Sequence, residues 1–155
     1  MELHRDFREL LESFNAHGVE YVLVGAYALA FHGAPRYTGD HDLFLRPTPE
    51  NAQRILTALK GFGFGSLGLA VEDFTAPDRV VQLGVHPVRV DLVTALTGVT
   101  WEEVWSARTE LTTDGIRIAV IDRGAFVKNK RATGRPMDLV DAELVDTDEE
   151  IPRPD

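Results

Sequence analysis

The sequence predicts an α/β domain in which helices pack on a mixed sheet. Short β-branched segments alternate along the chain with amphipathic segments of helical period. Two strand-like segments, 79–85 and 88–94, are separated only by a His-Pro dipeptide, which suits an antiparallel hairpin. A length of 155 residues and a hydrophobic content of 44% are enough for one core. We therefore expect a single domain over residues 1–145 and an acidic, flexible tail over 146–155.

The N-terminal elements are predicted as helix, strand and helix. The first helix fills the opening segment and ends at Gly18. Its core-facing stripe consists of Leu3, Phe7, Leu10, Leu11 and Phe14. Residues 20–25 have the composition of a buried strand, and residues 26–33 have that of a helix, so the chain turns at Gly25.

A second strand is predicted over residues 41–47, and a helix follows it. Thr48 is the expected N-cap, and Pro49 takes the first helical position. The predicted buried side of this helix consists of Ile55, Leu56 and Leu59. Beyond the hairpin, the sequence predicts a helix over 100–108, a strand over 115–121, and two closing helices over 123–134 and 136–145.

Composition excludes several classes of function. A net charge of −9 argues against binding to long nucleic acid, which depends on Lys and Arg, although a nucleotide or a short RNA end stays open. The chain has no Cys, so disulfides, thiolate catalysis and zinc–thiolate sites are excluded. No apolar run reaches membrane-spanning length, and the N-terminus is charged from Glu2 onward. We expect a cytoplasmic protein without a membrane partner.

Two acids, Asp40 and Asp42, stand at the start of a strand that is otherwise apolar. Spacing alone is weak evidence, because Asp146 and Asp148 repeat it in the tail. In a strand, however, alternate residues share one face, so the first pair would repel unless a cation lay between the carboxylates. Asp91 similarly interrupts an apolar strand, where an unpaired charge is costly. A shared Mg²⁺ (or Mn²⁺) site explains all three acids.

The turn at Gly25 predicts a phosphate site. A helix that begins after a tight glycine turn presents free backbone N–H groups to an anion. Arg36 and Thr38 follow this turn and precede the acids, and the Arg36 guanidinium suits a phosphate. A solvated loop arginine is the alternative interpretation. A nucleoside triphosphate would bridge the helix end and the metal.

Three segments together resemble the nucleotidyltransferases of the DNA polymerase β superfamily. They read VGAYALAFHGAPRYTGDHDLFL, PVRVDLVT and NKRATGRPMDLVDAELV, and the resemblance covers about residues 20–145. The pattern is similar in particular to small bacterial nucleotidyltransferase-like proteins related to abortive-infection toxins of toxin–antitoxin pairs. The resemblance implies a polymerase β-like nucleotidyltransferase fold.

The resemblance also implies roles for individual residues. Gly25 matches the first glycine of the family's turn, and Asp40 and Asp42 match its metal-binding pair. Asp91 matches the third carboxylate, which completes the metal site and helps to activate the attacking hydroxyl. Ala26 departs from the family, which has Ser or Gly at the corresponding position.

The segment 123–135 concentrates basic residues in an acidic chain: Arg123, Lys128, Lys130, Arg131 and Arg135. A solvated helix face is one interpretation. Because a triphosphate needs cations beyond its metals, we expect Lys130 and Arg135 to contact phosphate. Asp138 and Asp141 are expected to pair with these cations.

These observations favour a metal-dependent nucleotidyltransferase that moves a nucleoside monophosphate from a triphosphate, such as ATP, to a hydroxyl acceptor and releases pyrophosphate. The acceptor could be a protein, a tRNA end or a small molecule. Two alternatives stay open. One is a weakly active or inactive nucleotide-binding component of a toxin–antitoxin pair, which Ala26 favours; the other is a metal-dependent hydrolase.

Overall fold

The computed structural model describes residues 3–33, 40–61, 68–84 and 89–150, with 147–150 as helix backbone only. The helices are α1 (Arg5–Ala16), α2 (Gly25–Ala28), α3 (Pro49–Gly61), α4 (Trp101–Ala107), α5 (Arg123–Thr133) and α6 (Pro136–Glu150). The strands are β1 (Tyr21–Val24), β2 (Asp40–Leu45), β3 (Val80–Leu83), β4 (Arg89–Val93), β5 (Thr109–Thr113) and β6 (Ile116–Val120). Within these residues, no helix combines the length and apolarity that a membrane span requires.

The six strands form one mixed sheet in the order β3-β4-β2-β1-β6-β5. The predicted hairpin is confirmed, because β3 and β4 pair in antiparallel orientation. β1 is antiparallel to β2, whereas β2 is parallel to β4 and β1 is parallel to β6. The predicted α/β architecture with a mixed sheet is therefore confirmed, and β2 lies near its centre.

The predicted core of the N-terminal half is confirmed with one exception. All five residues of the predicted N-terminal stripe are buried, although Leu3 precedes α1. Thr48 Oγ1 accepts a hydrogen bond from the Asn51 N–H as an N-cap does, and Pro49 is the first residue of α3. Leu56, however, is only half-buried, because it lies at the margin of the face that Ile55 and Leu59 bury.

Strand β5 and the second helix differ from the sequence prediction. The sequence did not predict β5, because Thr-Glu-Leu-Thr-Thr has no apolar alternation and the strand is mostly exposed at the sheet edge. The helix predicted over 26–33 is instead α2, of four residues, followed by a 3₁₀ turn at Leu29–His32. Gly33, with φ of 82°, ends that turn.

Helix α6 continues past Asp146, the residue at which the sequence indicated the start of the tail. Residues 151–155 lie outside the described residues, so flexibility of the tail stays a prediction there.

A buried asparagine fixes the start of β1 and the end of β2 to α3. Asn51 is 1% exposed. Its Oδ1 accepts a hydrogen bond from the Glu20 N–H at 2.8 Å, and its Nδ2 donates to the carbonyls of Glu20 and Arg46 at 3.0 Å each. One side chain therefore satisfies three backbone groups where the sheet meets the helix.

We predict that Asn51→Ala lowers the free energy of unfolding by about 2 kcal/mol, because it leaves the Glu20 N–H without its acceptor and removes one of the two donors from the carbonyls of Glu20 and Arg46. Gln53→Ala, on the exposed side of the same helix, should change it by less than about 0.5 kcal/mol. Denaturant titration measures both. Equal losses in the two variants would contradict the role given to Asn51.

Candidate active site

The parallel pairing of β2 and β4 brings the predicted acids together. Asp42 is the register partner of Asp91, and Asp40 is the register partner of Arg89. Residues two apart share a face of a strand, so all three carboxylates lie on one face of the sheet. His41 lies on the opposite face, where its ring is 4.3 Å from that of Phe7.

The Arg89 guanidinium lies between two of these carboxylates. Its Nη2 is 3.1 Å from Asp91 Oδ2 and its Nε is 3.3 Å from Asp91 Oδ1. The same Nε is 3.8 Å from Asp40 Oδ1. Arg89 was not among the predicted site residues, although its position two residues before Asp91 places it on the same face of β4.

The Asp42 carboxyl is destabilised in its ionised form. Burial raises the pKa of Asp42 to about 6, and the negative charge of Asp91 is the second cause. The charge of Asp40 acts in the same direction. The Lys130 ammonium and, more weakly, the Arg89 guanidinium oppose the rise. Asp42 therefore lies where an additional cation would be stabilising.

Gly25 is required by its approach to Asp42. Its φ is +72°, and a Cβ built on it would lie 2.3 Å from Asp42 Oδ2. Any other residue would therefore displace the carboxylate. The N-terminus of α2 is less favourable for phosphate binding than the sequence predicted, because α2 has only four residues. Ala26 follows Gly25 in this turn and is half-buried.

Lys130, near the end of α5, and Arg135, between α5 and α6, both pair with Asp138. The Lys130 Nζ is 3.2 Å from Asp138 Oδ1, and the Arg135 Nε is 2.8 Å from Asp138 Oδ2. Thr133 Oγ1 donates to the same Oδ2 at 2.7 Å. Burial raises the pKa of Asp138, but the Thr133 hydrogen bond and the Lys130 charge outweigh it, so the net shift is downward.

The two cations differ in their access to a ligand. The Lys130 side chain is 9% exposed, whereas that of Arg135 is 74% exposed. The predicted pairing of Asp138 with both cations is present. Asp141, for which the same pairing was expected, is buried on α6.

Several of these groups line one cleft of about 330 Å³. Its polar lining includes Asp42, Asp91, Asn129, Lys130, Thr133 and Arg135, and Gly25 also lines it. Val80, Val93, Ala95 and Leu96 supply an apolar wall. The cleft thus joins carboxylates, cations and an apolar surface within one space.

Arg36 and Thr38, both predicted to contact nucleotide, lie outside the described residues. Their proposed contacts stay predictions.

The chemistry of Asp40, Asp42 and Asp91 fits a hard divalent cation. All their ligand atoms are carboxylate oxygens, which Mg²⁺ and Mn²⁺ prefer, and the charges of Asp91 and Asp40 add to burial in raising the pKa of Asp42. Over the described ranges, no three His, Cys, Asp or Glu side chains are already arranged as a metal cluster. The Arg89 guanidinium lies against Asp91 and Asp40 in the space between them.

Several solved structures share this fold. A Thermotoga maritima protein assigned to the nucleotidyltransferases has a TM-score of 0.55 and 16% identity, over 92% of this chain and 89% of that one. The antibiotic-resistance factor ANT(2'')-Ia has a TM-score of 0.60 in its solution structure, with 12% identity over 92% of this chain and 82% of that one. A nucleotidyltransferase-like antigenic protein of Paracoccidioides brasiliensis has a TM-score of 0.52 and 16% identity, over 94% and 76% of the two chains.

No protein-family model and no curated protein matches the sequence. The similarity to solved structures extends over nearly the whole chain at low identity, so it concerns the fold. The chain has the polymerase β-like fold of the nucleotidyltransferases.

Proposed function

We propose that the protein is a metal-dependent nucleotidyltransferase that moves a nucleoside monophosphate from a nucleoside triphosphate to a hydroxyl acceptor. The observation that carries this proposal is the pairing of Asp42 with Asp91 in a cleft that Lys130 and Arg135 also line. Carboxylates and cations that line one cleft suit a ligand that combines divalent metal with phosphate. The shared fold of the solved nucleotidyltransferases supports this assignment.

Asp40, Asp42 and Asp91 would hold the metal, which would be Mg²⁺ or Mn²⁺. When bound, the metal would neutralise phosphate charge and orient the triphosphate for in-line displacement. Gly25 leaves room for the Asp42 carboxylate beside the turn. The exposed Arg135 guanidinium would bind the β- and γ-phosphates.

In the proposed reaction, the acceptor oxygen forms a bond to the α-phosphorus while the bond from that phosphorus to the bridging oxygen breaks. The bonding electrons leave with pyrophosphate. An Asp91 carboxylate oxygen would take the proton of the acceptor hydroxyl. The charge of Lys130 limits the rise in the pKa of Asp42, which at about 6 leaves this carboxylate mostly ionised at neutral pH.

The acceptor is proposed only by chemical class: a hydroxyl of a protein, of an RNA end or of a small molecule. ANT(2'')-Ia has been solved with adenylyl-2''-tobramycin; that structure has a TM-score of 0.58 and 12% identity, over 92% of this chain and 87% of that one. It supports the small-molecule class. The second candidate function is a nucleotide-binding component of a toxin–antitoxin pair without transfer, which the methyl group of Ala26, in place of a hydroxyl, favours.

Incubation with each α-labelled nucleoside triphosphate, Mg²⁺ or Mn²⁺ and fractionated lysate tests the proposal. We expect label in protein, RNA or a small molecule with the parent and none with Asp42→Asn. Nucleotide binding without label transfer in any fraction would favour the second candidate.

We predict that Asp42→Asn stabilises the metal-free protein at neutral pH. The folded-state pKa of about 6 lies above the ordinary 3.8, so between these two pH values the native parent retains a proton that the unfolded chain loses. As the pH rises from about 4 to 7, the stability of the parent relative to the variant should therefore decrease by on the order of 2 kcal/mol.

Denaturant titrations of both proteins across that range measure this difference. With Mg²⁺ and triphosphate at neutral pH the order should reverse, because ligand stabilises only a folded state that binds it. A difference that does not change with pH would contradict the environment assigned to Asp42.

We predict that Gly25→Ala weakens binding of Mg²⁺–triphosphate at least tenfold, because its Cβ displaces the Asp42 carboxylate. Gly18→Ala is the matched control, since Gly18 has a φ of +69° with no atom within 4 Å of a built Cβ. Both variants should lose about 1 kcal/mol of stability through backbone strain, but the control should bind normally. Calorimetry measures the affinity of each variant for Mg²⁺–triphosphate. Equal affinities in Gly25→Ala and Gly18→Ala would show that the approach of Gly25 to Asp42 does not matter for binding.

We predict that Arg135→Ala weakens triphosphate binding more than monophosphate binding, since its contact lies beyond the α-phosphate. Lys130→Ala should show the same selectivity if its ammonium contacts the phosphate tail, but it also removes the buried cation that pairs with Asp138 and should destabilise the fold. Arg131→Ala is the control, because Arg131 pairs with Asp146 and does not line the cleft. Equal weakening for both nucleotides would contradict the assignment.

A further inference from the structure

Arg89 binds Asp91 through both oxygens of its carboxylate. Its Nη2 is 3.1 Å from Oδ2 and its Nε is 3.3 Å from Oδ1, which is the bidentate geometry of a strong guanidinium–carboxylate pair. The Nε also lies 3.8 Å from Asp40 Oδ1. The guanidinium thus neutralises two of the three carboxylates that the proposed function assigns to metal.

The sheet itself holds Arg89 in this position. Arg89 is the register partner of Asp40, and it precedes Asp91 by two residues on the same face of β4. Gln82, the register partner of Asp91 on β3, lies beside the guanidinium; with its amide oxygen turned toward Arg89, it accepts from Nη2 at 2.9 Å. The Arg89 side chain is 37% exposed, so solvent is open to it.

We infer that Arg89 is an internal counter-ion that competes with the divalent metal for Asp91 and Asp40 and so sets the metal concentration at which the site fills. This inference rests on the proposed function. A guanidinium that stayed in contact with both carboxylates would lie within a few ångströms of the metal, where like charges repel. Filling the site therefore requires Arg89 to move away, toward Gln82 or solvent.

A different role for Arg89 would change the metal affinity in the opposite direction. If the guanidinium only oriented the Asp91 carboxylate for the metal, its removal would disorder a ligand and weaken metal binding. Under competition, its removal strengthens metal binding, because the carboxylates lose their resident cation. The sign of the change in metal affinity distinguishes a competitor from a positioning residue.

Binding of Mn²⁺ without nucleotide tests the inference, with free Mn²⁺ measured by electron paramagnetic resonance. We expect Arg89→Gln to bind Mn²⁺ at least fivefold more tightly than the parent. Arg8→Gln is the matched control: Arg8 is 40% exposed and contacts Glu12 at 3.3 Å and Asp114 at 3.5 Å, outside the cleft. Its Mn²⁺ affinity should stay within twofold of the parent.

Arg89→Lys keeps the charge but loses the bidentate fork, and its Mn²⁺ affinity should lie between those of the parent and Arg89→Gln. Because it retains a cation beside the acids, this variant also tests the inference if Arg89→Gln does not fold. A thermal shift with Mn²⁺ should be larger for both variants than for the parent.

Mn²⁺ affinity that is unchanged or weaker in both Arg89 variants would overturn the inference. If the parent nevertheless transfers label, the proposed function stands while the competing role of Arg89 fails. If Arg89→Gln binds Mn²⁺ more tightly but no protein transfers label, the competition stands and the proposed reaction fails.

Discussion

The parallel pairing of β2 with β4 sets the Asp42 carboxylate beside that of Asp91, and the rest of the cleft compensates for that repulsion. Two ionised carboxylates on neighbouring strands cost free energy unless cations or protons lie near them. Burial increases this cost at Asp42, whose pKa rises to about 6. The sheet imposes the arrangement, since moving either strand by one residue would turn its acid to the opposite face.

Two cations offset part of this charge in different ways. Arg89 binds Asp91 directly, from within the same strand. Lys130 acts on Asp42 from α5, and Asp138 holds its ammonium in the wall of the cleft. They do not restore the ordinary pKa of Asp42, because burial, followed by the charge of Asp91, outweighs both cations. A cleft that combines a partly buried carboxylate pair with an exposed Arg135 is suited to a metal–phosphate ligand.

The sequence was sufficient to predict the mixed sheet and the hairpin, because both follow from the spacing of apolar residues. It also identified the acidic site residues, because their charges interrupt apolar strands. Asp40, Asp42 and Asp91 were conspicuous as carboxylates in apolar strands. The pairing of Asp42 with Asp91 needed the strand order, which periodicity does not contain. The polar edge strand β5 gave no apolar signal, and Asn51 resembled any other polar residue near a helix start.

The roles of Arg89 and Lys130 depended on tertiary contacts. The pairing of Lys130 with Asp138 was predicted from their sequence positions, but the burial of this pair was not, because a basic helix segment has the same sequence pattern when it is solvated. Gly25 was expected to open a helix over residues 26–33 toward phosphate, and its contact with phosphate stays a prediction. The observed α2 is one turn, and the structure adds a second requirement for glycine, because Asp42 lies against it.

Titration of the Asp42 carboxyl by nuclear magnetic resonance, in the metal-free protein, tests the central claim that the Asp42 and Asp91 carboxylates lie side by side in this cleft. We expect a pKa near 6 for Asp42 in the parent and a clearly lower pKa in Asp91→Asn, which removes the neighbouring charge but keeps the shape. A carboxyl that titrates at its ordinary 3.8 in the parent, or one that Asp91→Asn leaves unchanged, would contradict it.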